Sequence, residues 1–227
     1  MRVRFGINYM PTGSPPEVVR WARLVEDLGY EILGISDSQS ICRDVYMTLA
    51  LCAVNTERIR LGPRVITPIT RHPAVAACAA ATLEELAPGR TMLGIGSGDS
   101  AAFNIGLRPA SLAELRAYAE TIRSLLTEGS ATYHGAQATL TWKRTRVPIY
   151  LAASGPKTLR LAGLHGRHVR LIVCAHGVLL REEHRHLRRR LCHRLLVHRA
   201  RERIHCLLEI SSSCRGRTDS LGCRRQG

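Results

Sequence analysis

Aromatic residues and lysine are scarce in this sequence. Phe, Trp and Tyr together make up only 4% of its 227 residues, and lysine occurs only as Lys143 and Lys157. The length is sufficient for one large domain with a sizeable core. Because large rings are so few, we predict a core built from Ala, Val, Leu and Ile.

Three further signals are missing from the sequence. The first residues, Met1–Gly6, contain no apolar stretch of the kind that a secretory signal requires. The longest apolar run, Ala74–Ala81, is far too short to cross a bilayer. Cys42, Cys52 and Cys78 show no paired spacing, so we interpret them as reduced thiols and not as a disulfide framework. We therefore expect a cytosolic protein with no membrane partner.

Positive charge is abundant but unevenly distributed. The net charge is +15, and residues 165–227 contain 15 arginines, no lysine and only 5 acidic residues. The same segment holds 8 of the 10 histidines and 5 of the 8 cysteines. This change of composition predicts a boundary between residues 1–164 and a basic segment, residues 165–227.

Residues 1–164 alternate between strand-like and helix-like patterns. Two helix starts are marked by Ser14 with Glu17 and by Ser111 with Glu114, each three residues apart. Regular alternation of this kind predicts βαβ units, a parallel sheet and right-handed connections. An open doubly wound sheet and a (β/α)₈ barrel both fit it. The predicted strands are Val3–Met10, Ile32–Ile35, Arg58–Ile66, Thr91–Ser100 (an apolar run with a glycine-rich end) and Val147–Ala153.

Polar residues follow the predicted strands. In a barrel, the carboxyl ends of parallel strands converge on one mouth, where catalysis takes place. Gly94, Gly96 and Gly98 follow a G-x-G-x-G pattern, which differs from the dinucleotide-binding fingerprint. The polar residues at strand ends are Asn8, Asp37, Thr67 with Arg71 and His72, Ser97 with Asp99, and Ser154 with Gly155.

Six motifs occur in the order that is typical of one enzyme family. They are Ile35–Ser40, Arg60–Gly62, Thr67–Pro68, Arg71–Val75, Leu93–Ser100 and Ala152–Leu159. Together they make residues 3–164 resemble the bacterial-luciferase-like oxidoreductases. The chain looks most similar to the branch that uses the deazaflavin coenzyme F420, which includes methylenetetrahydromethanopterin-reductase-like proteins.

This resemblance implies a TIM (β/α)₈-type barrel that binds F420 at its C-terminal mouth and transfers a hydride to or from a small-molecule substrate. It places Asp37 beside the ring, as a cofactor-binding and catalytic residue. Arg64 and Val65 would form a strand bulge with a non-proline cis peptide behind the ring, and Thr67 would bond the cofactor. The resemblance assigns the phosphate-bearing tail to Ser97, Gly98, Ser154, Gly155, Lys157 and Thr158.

Asp99 matches an acidic position that assists proton transfer in some relatives. That role requires Asp99 to be partly buried, and the alternative is that it only caps the following helix. Two positions depart from the family pattern. Ser38 replaces a histidine that follows the strand-two aspartate in some relatives, and Ser97 replaces an arginine. The resemblance is compatible with a homodimer, and we predict no metal ion.

The resemblance leaves a second cofactor open. FMN is the alternative to F420, and the chain would then be a monooxygenase that acts on paired donors and incorporates oxygen.

No family motif is recognisable after residue 164, so we predict a barrel truncated after about five βα units, with open sheet edges. Three explanations of residues 165–227 compete. They are an out-of-frame translation, a tail that binds nucleic acid, and a metal site using Cys192, His193, His198, Cys206, Cys214 and Cys223. The segment has no aromatic residue for base stacking and no C-x-x-C pair, so neither nucleic acid nor metal is our expectation.

Overall fold

The computed structural model describes residues 2–152, 161, 169–174 and 205–211, with side chains for residues 6–152 and 161. The described helices are α1 (Pro15–Asp27), α2 (Val45–Val54), α3 (Pro73–Leu86), α4 (Ser100–Phe103) and α5 (Leu112–Thr127). The described strands are β1 (Arg2–Tyr9), β2 (Ile32–Ile35), β3 (Arg60–Pro63), β4 (Leu93–Ile95), β5 (Ser130–Tyr133), β6 (Ala136–Thr139), β7 (Ile149–Ala152), β8 (Val169–Cys174) and β9 (His205–Ser211).

Seven strands form one sheet in the order β3-β2-β1-β9-β8-β7-β4. The pairs β1–β2, β2–β3, β4–β7 and β7–β8 are parallel, and β9 is antiparallel to both β8 and β1. The two ends of this order also touch, because Leu61 pairs with Thr91 and Ile66 pairs with Ile95. The sheet therefore closes on itself as a barrel. This confirms the α/β class and favours the barrel over the open sheet.

The structure corrects the prediction of open edges. Sequence reasoning ended the barrel after its fifth parallel strand, which here is β7. Instead, β8 lies beside β7, and β9 fills the position between β8 and β1. Truncation after five βα units is therefore not confirmed, because both edges that it would expose are paired.

The predicted helix starts are present, and one of them differs in detail. At α1 the carboxylate of Glu17 accepts hydrogen bonds from the backbone amide and the hydroxyl of Ser14, at 2.6 and 2.7 Å. At α5 the Ser111 hydroxyl accepts from the amide of Glu114 at 3.1 Å. The Glu114 carboxylate, however, accepts from the Tyr133 hydroxyl and lies 3.2 Å from Nε2 of His134. The β5–β6 hairpin thus rests on the first turn of α5.

Most buried apolar side chains lie between the barrel and its helices. Leu33 and Ile35 of β2 belong to this main core, together with Leu49 of α2 and Ile122 of α5. Alternate residues of a strand point to opposite faces. Ile32 accordingly belongs to a separate, small cluster with Met92 and Tyr150. As predicted, aliphatic residues and alanine dominate the main core.

Glycine allows β3 and β4 to approach each other closely. A Cβ atom on Gly62 would lie 1.9 Å from the carbonyl oxygen of Met92, and one on Gly94 would lie 2.6 Å from that of Pro63. A Cβ atom on Gly96 would lie 2.6 Å from Cγ2 of Val65. These glycines make room for the neighbouring strand and its exit.

Candidate functional site

Asp37 and Arg71 form the centre of the candidate site at the mouth of the barrel. Asp37 follows β2 directly, and its side chain is only 5% exposed. Nε of Arg71, from the loop before α3, lies 3.5 Å from Oδ2 of Asp37. Nη2 of the same arginine lies 2.8 Å from Oδ2 of Asp44. Two strand exits predicted to converge, those of β2 and β3, therefore do so.

The two carboxyl groups bound by Arg71 have opposite pKa shifts. Burial raises the pKa of Asp37, and Arg71 only partly offsets this effect. Partial burial acts in the same direction on Asp44, but hydrogen bonds from the Met47 amide and from Arg71 bring the pKa of Asp44 below its ordinary value. Asp44 also caps α2, because its Oδ1 atom accepts from the amides of Tyr46 and Met47, both at 2.9 Å.

Asn8, at the end of β1, contributes a polar atom that has no hydrogen-bond partner among the described residues. Its amide nitrogen donates to the Ser36 hydroxyl at 3.1 Å, while its buried Oδ1 atom accepts no hydrogen bond. Gly34 lies beside it, and a Cβ atom there would be 3.3 Å from this oxygen and 2.8 Å from Cδ of Arg64. A buried acceptor without a donor is costly unless water or a ligand supplies one.

Arg64 and Val65 lie between the end of β3 and the isolated pairing of Ile66 with Ile95, and we call this two-residue segment the bulge. The peptide bond between Arg64 and Val65 is cis, as the resemblance implies. The amide of Arg64 donates to the Ile35 carbonyl at 2.6 Å, and this contact joins the bulge to β2 just before Asp37. Arg64 is buried and Val65 is half-buried. Their contact with a cofactor ring stays a prediction.

Thr67 and Gly98 join the exits of β3 and β4. The Thr67 side chain is buried, its hydroxyl donates to the Ser97 carbonyl at 3.2 Å, and it accepts from the Ile69 amide at 3.3 Å. Gly98 has a φ of 102°, and a Cβ atom on it would lie 3.0 Å from the Thr67 hydroxyl. In this structure Thr67 therefore positions the loop after β4, and its bond to a cofactor stays a prediction.

Asp99 does not meet the condition set for a proton-transfer role. It is exposed, and it occupies the N-cap position of α4 without a side-chain hydrogen bond to the helix. Its backbone carbonyl accepts from the amides of Ala102 and Phe103, both at 2.9 Å. The partial burial that this role requires is absent, so the structure favours Asp37 over Asp99.

Two hydrogen bonds tie the rim loops together. The hydroxyls of Ser38 and Ser100 lie 2.7 Å apart, and the Gln39 side chain donates to the Ala101 carbonyl at 2.8 Å. The Ser38 hydroxyl is thus used within this rim. Four exposed apolar side chains lie on the same loops: Ile41, Phe103, Ile105 and Leu107.

Several predicted residues lie outside the described part of the chain. Ser154, Gly155, Lys157 and Thr158 belong to this group, and so do the side chains of all cysteines and histidines after residue 164. Within the described residues, no group of three or more His, Cys, Asp or Glu could hold a metal ion. Sequence reasoning missed Asp44, although an aspartate directly before an apolar helix is a recognisable N-cap signal.

An α/β barrel of mostly parallel strands, with buried polar groups at the carboxyl ends of those strands, is the architecture of enzymes that bind their ligands at this mouth. A sequence model described as luciferase-like monooxygenase matches residues 2–194, so the chain belongs to the luciferase-like monooxygenase family. The match reaches beyond residue 164, where the recognisable motifs end.

Three known proteins illustrate the similarity. A 5,10-methylenetetrahydromethanopterin reductase of Archaeoglobus fulgidus is 37% identical over 182 residues, which cover 77% of this chain and 54% of that protein. An F420-dependent glucose-6-phosphate dehydrogenase of Beutenbergia cavernae is 36% identical over 67% of this chain and 51% of its own length. The solved structure of an F420-dependent tetrahydromethanopterin reductase from Methanopyrus kandleri superposes with a TM-score of 0.64, at 28% identity, over 72% of this chain and 54% of that one.

The chain thus spans about half the length of the curated relatives that it matches. None of the helices in the described ranges combines the length and the apolar character needed to cross a membrane.

Proposed function

We propose that this protein is an oxidoreductase that binds coenzyme F420 at the mouth of its barrel and transfers a hydride to or from a small organic substrate. The observation that carries the proposal is the buried carboxyl group of Asp37, two residues after the end of β2, together with the unpartnered Asn8 oxygen at the end of the neighbouring strand β1. The F420-dependent relatives support the choice of cofactor.

The described polar groups fit a deazaflavin ring. One edge of such a ring alternates carbonyl and N–H groups, so it needs both acceptors and donors. Asp37 and Oδ1 of Asn8 are acceptors, while the Ser36 and Ser38 hydroxyls can serve as either. When bound, F420 supplies the hydride-transfer chemistry.

The protein's own residues orient the ring and control protons. Asp37 would hold the polar edge of the ring, and it is the buried carboxyl group available for proton exchange. Asn8 would hold the ring from the β1 side, because its unpartnered oxygen needs a donor from a ligand or from water. The phosphate-bearing tail is assigned to Ser97 and Gly98, with the predicted residues of the loop after β7.

Titration of F420 fluorescence with the purified full-length chain tests the proposal. Asp37→Ala removes a charge-assisted hydrogen bond, for which we expect a loss of affinity of about 10- to 100-fold. Asp27→Ala is the matched control, because Asp27 is an exposed aspartate at the end of α1. Equal F420 affinity in the wild type and the Asp37→Ala variant would refute the site.

A parallel titration with FMN separates the two cofactors. Tighter binding of FMN than of F420, with oxygen consumption during turnover, would replace the proposal with the monooxygenase alternative. Gly98→Val also tests the mouth, and we expect loss of cofactor binding. Because Gly98 has a positive φ and little free space, its folding must be verified by circular dichroism.

We further propose a homodimer. Met47 and Val54 of α2 and Val75 of α3 are exposed apolar side chains on neighbouring helices, with exposed fractions of 78%, 63% and 56%. Where such side chains form a continuous apolar patch, the patch is typical of an interaction surface. Analytical ultracentrifugation of the wild type should give a dimer that Met47→Glu weakens, and a monomer at all concentrations would exclude it.

The alternative of a nucleic-acid-binding protein stays a prediction, because most of residues 165–227 lie outside the described part of the chain. Salt-dependent DNA binding by the full chain, unaffected by F420, would favour it. Reading the coding DNA around codon 164 in the other two frames tests the out-of-frame hypothesis.

A further inference from the structure

Arg71 is shared by two carboxylates that differ in exposure. Its shorter contact, 2.8 Å, is with Asp44, whose side chain is 40% exposed, and its longer contact, 3.5 Å, is with Asp37, which is 5% exposed. The guanidinium also lies over the Tyr46 ring, 5.1 Å from the ring centroid. The guanidinium therefore makes its shorter contact with the more exposed carboxylate, that of Asp44.

Because Arg71 is shared in this way, the negative charge of the buried Asp37 carboxylate is only partly neutralised. A carboxylate taken out of water is stabilised only by a close counter-ion and by hydrogen bonds. Apart from Arg71, no described residue donates a hydrogen bond to the Asp37 side chain. Asp44, in contrast, also accepts two amide hydrogen bonds at the start of α2. The ionised form is thus well supported at Asp44 and poorly supported at Asp37.

The other titratable groups around Asp37 do not change this balance. Cys42 lies on the same loop, and burial together with Asp37 raises the pKa of its thiol. Burial also raises the pKa values of Tyr46 and Tyr118, so both phenols remain neutral. Arg71 is the cation, and Asp44 is the second anion that acts on Asp37.

We propose that Arg71 is a counter-ion divided between Asp44 and Asp37, and that this division makes Asp37 the proton-exchanging carboxyl group of the mouth. Asp44 is then a positioning residue that acts through Arg71. When a ligand atom releases a proton, the Asp37 carboxylate takes it up and the net charge of the three groups rises from −1 to zero; donation reverses this change. The chemical use of this proton rests on the proposed function, while the division of Arg71 does not.

Titration of the Asp37 carboxyl group, followed by carbon-13 NMR of the full chain without cofactor, tests the proposal. Asp44→Asn removes the charge but keeps an amide oxygen that can cap α2. In this variant Arg71 no longer pairs with a second carboxylate, and one negative charge near Asp37 is removed. We therefore expect the midpoint of the Asp37 titration to move to lower pH. In Arg71→Gln we expect it to move upward by about one pH unit or more.

Arg43→Gln is the control, because the Arg43 guanidinium donates to the carbonyl oxygens of Pro11 and Thr12. It should leave the Asp37 midpoint in place. An unchanged midpoint in Asp44→Asn, or one that moves upward, overturns the proposal. If Arg71→Gln does not fold, Arg71→Lys keeps the positive charge without the planar fork, and Asp44→Asn decides the question by itself.

F420 binding and the Asp37 titration, measured on the same variants, separate this inference from the proposed function. If Asp44→Asn shifts the Asp37 midpoint but the chain binds no F420, the divided counter-ion stands and the proposed function fails. If F420 binds through Asp37 but the midpoint does not respond to Asp44→Asn, the proposed function stands and the divided counter-ion fails.

Discussion

Gly96, which follows β4, lies against Val65, which follows β3. Substitutions at these two positions test whether the close approach of the two strand exits requires glycine. A Cβ atom on Gly96 would lie 2.6 Å from Cγ2 of Val65, about 1 Å closer than ordinary contact. Gly96 does not have a positive φ, so alanine suits its backbone and the cost of the Gly96→Ala change is steric. Overpacking of this kind destabilises a protein by about 1–3 kcal/mol.

Trimming the neighbour should relieve this clash. Val65→Ala removes the offending methyl group, and the next contacts of the added Cβ atom, with Val65 Cβ and Ala152 Cβ, are both at an ordinary 3.6 Å. Because Val65 is half-buried, we expect the single change to cost about 1 kcal/mol. The double variant should then be about as stable as Val65→Ala alone, with a coupling energy of about 1–3 kcal/mol.

Urea unfolding under reducing conditions measures all four proteins of this cycle. Gly62→Ala is the comparison, because its added Cβ atom would lie 1.9 Å from a backbone oxygen, that of Met92, which no side-chain truncation removes. We expect Gly62→Ala to be strongly destabilising in both backgrounds. If Gly96→Ala lowers the free energy of unfolding equally with and without Val65→Ala, then contact with Val65 is not the reason that position 96 requires glycine.

Two further changes test the framework of the site. The Glu26 carboxylate accepts hydrogen bonds from the amides of Arg58 and Ile59 at 2.6 and 2.7 Å. Burial acts to raise the pKa of Glu26, but these hydrogen bonds outweigh it and lower the pKa. Glu26→Gln should therefore cost about 1–3 kcal/mol near neutral pH. This stabilisation is present above the unfolded-state pKa of Glu26 and is lost as pH falls through the lowered folded-state value, so the difference in urea midpoint should vanish in acid. His72 caps α3 through Nδ1, which accepts from the Ala74 amide at 3.2 Å. His72→Ala should cost about 0.5–2 kcal/mol in urea unfolding and His72→Asn much less, and equal losses would exclude the capping role.

Local sequence signals predicted the elements well because their causes are local. The order of strands and helices follows from apolar periodicity, and Ser14 with Glu17 marks the start of α1 through a contact three residues apart. The shortened β3 was not predicted, because Val65 and Ile66 continue the strand-like composition while the chain leaves the ladder at Pro63. Apolar character alone does not distinguish a strand from a bulge.

The composition of the site was predictable, but its internal pairing was not. Asp37 and Thr67 were expected at the mouth because both follow strands. The division of Arg71 between Asp37 and Asp44 depends on contacts across 34 and 27 positions, which no local pattern encodes. The exposure of Asp99 likewise depends on how α4 lies against the rim. The pairing of β9 with β1 was missed because residues 205–211 carry no family motif.

The bonds from Ser38 to Ser100 and from Gln39 to Ala101 have a consequence for motion at the mouth. Because they join the loops after β2 and β4, a displacement of one loop carries the other with it. Gly98 and Gly106, with φ values of 102° and 74°, flank α4 and are suited to act as the pivots of such a movement. The two loops would thus move as one unit, which carries the exposed apolar side chains of Phe103 and Leu107. Amide hydrogen exchange in residues 38–42 and 100–106 should then follow a common rate, and Ser100→Ala should separate the two rates.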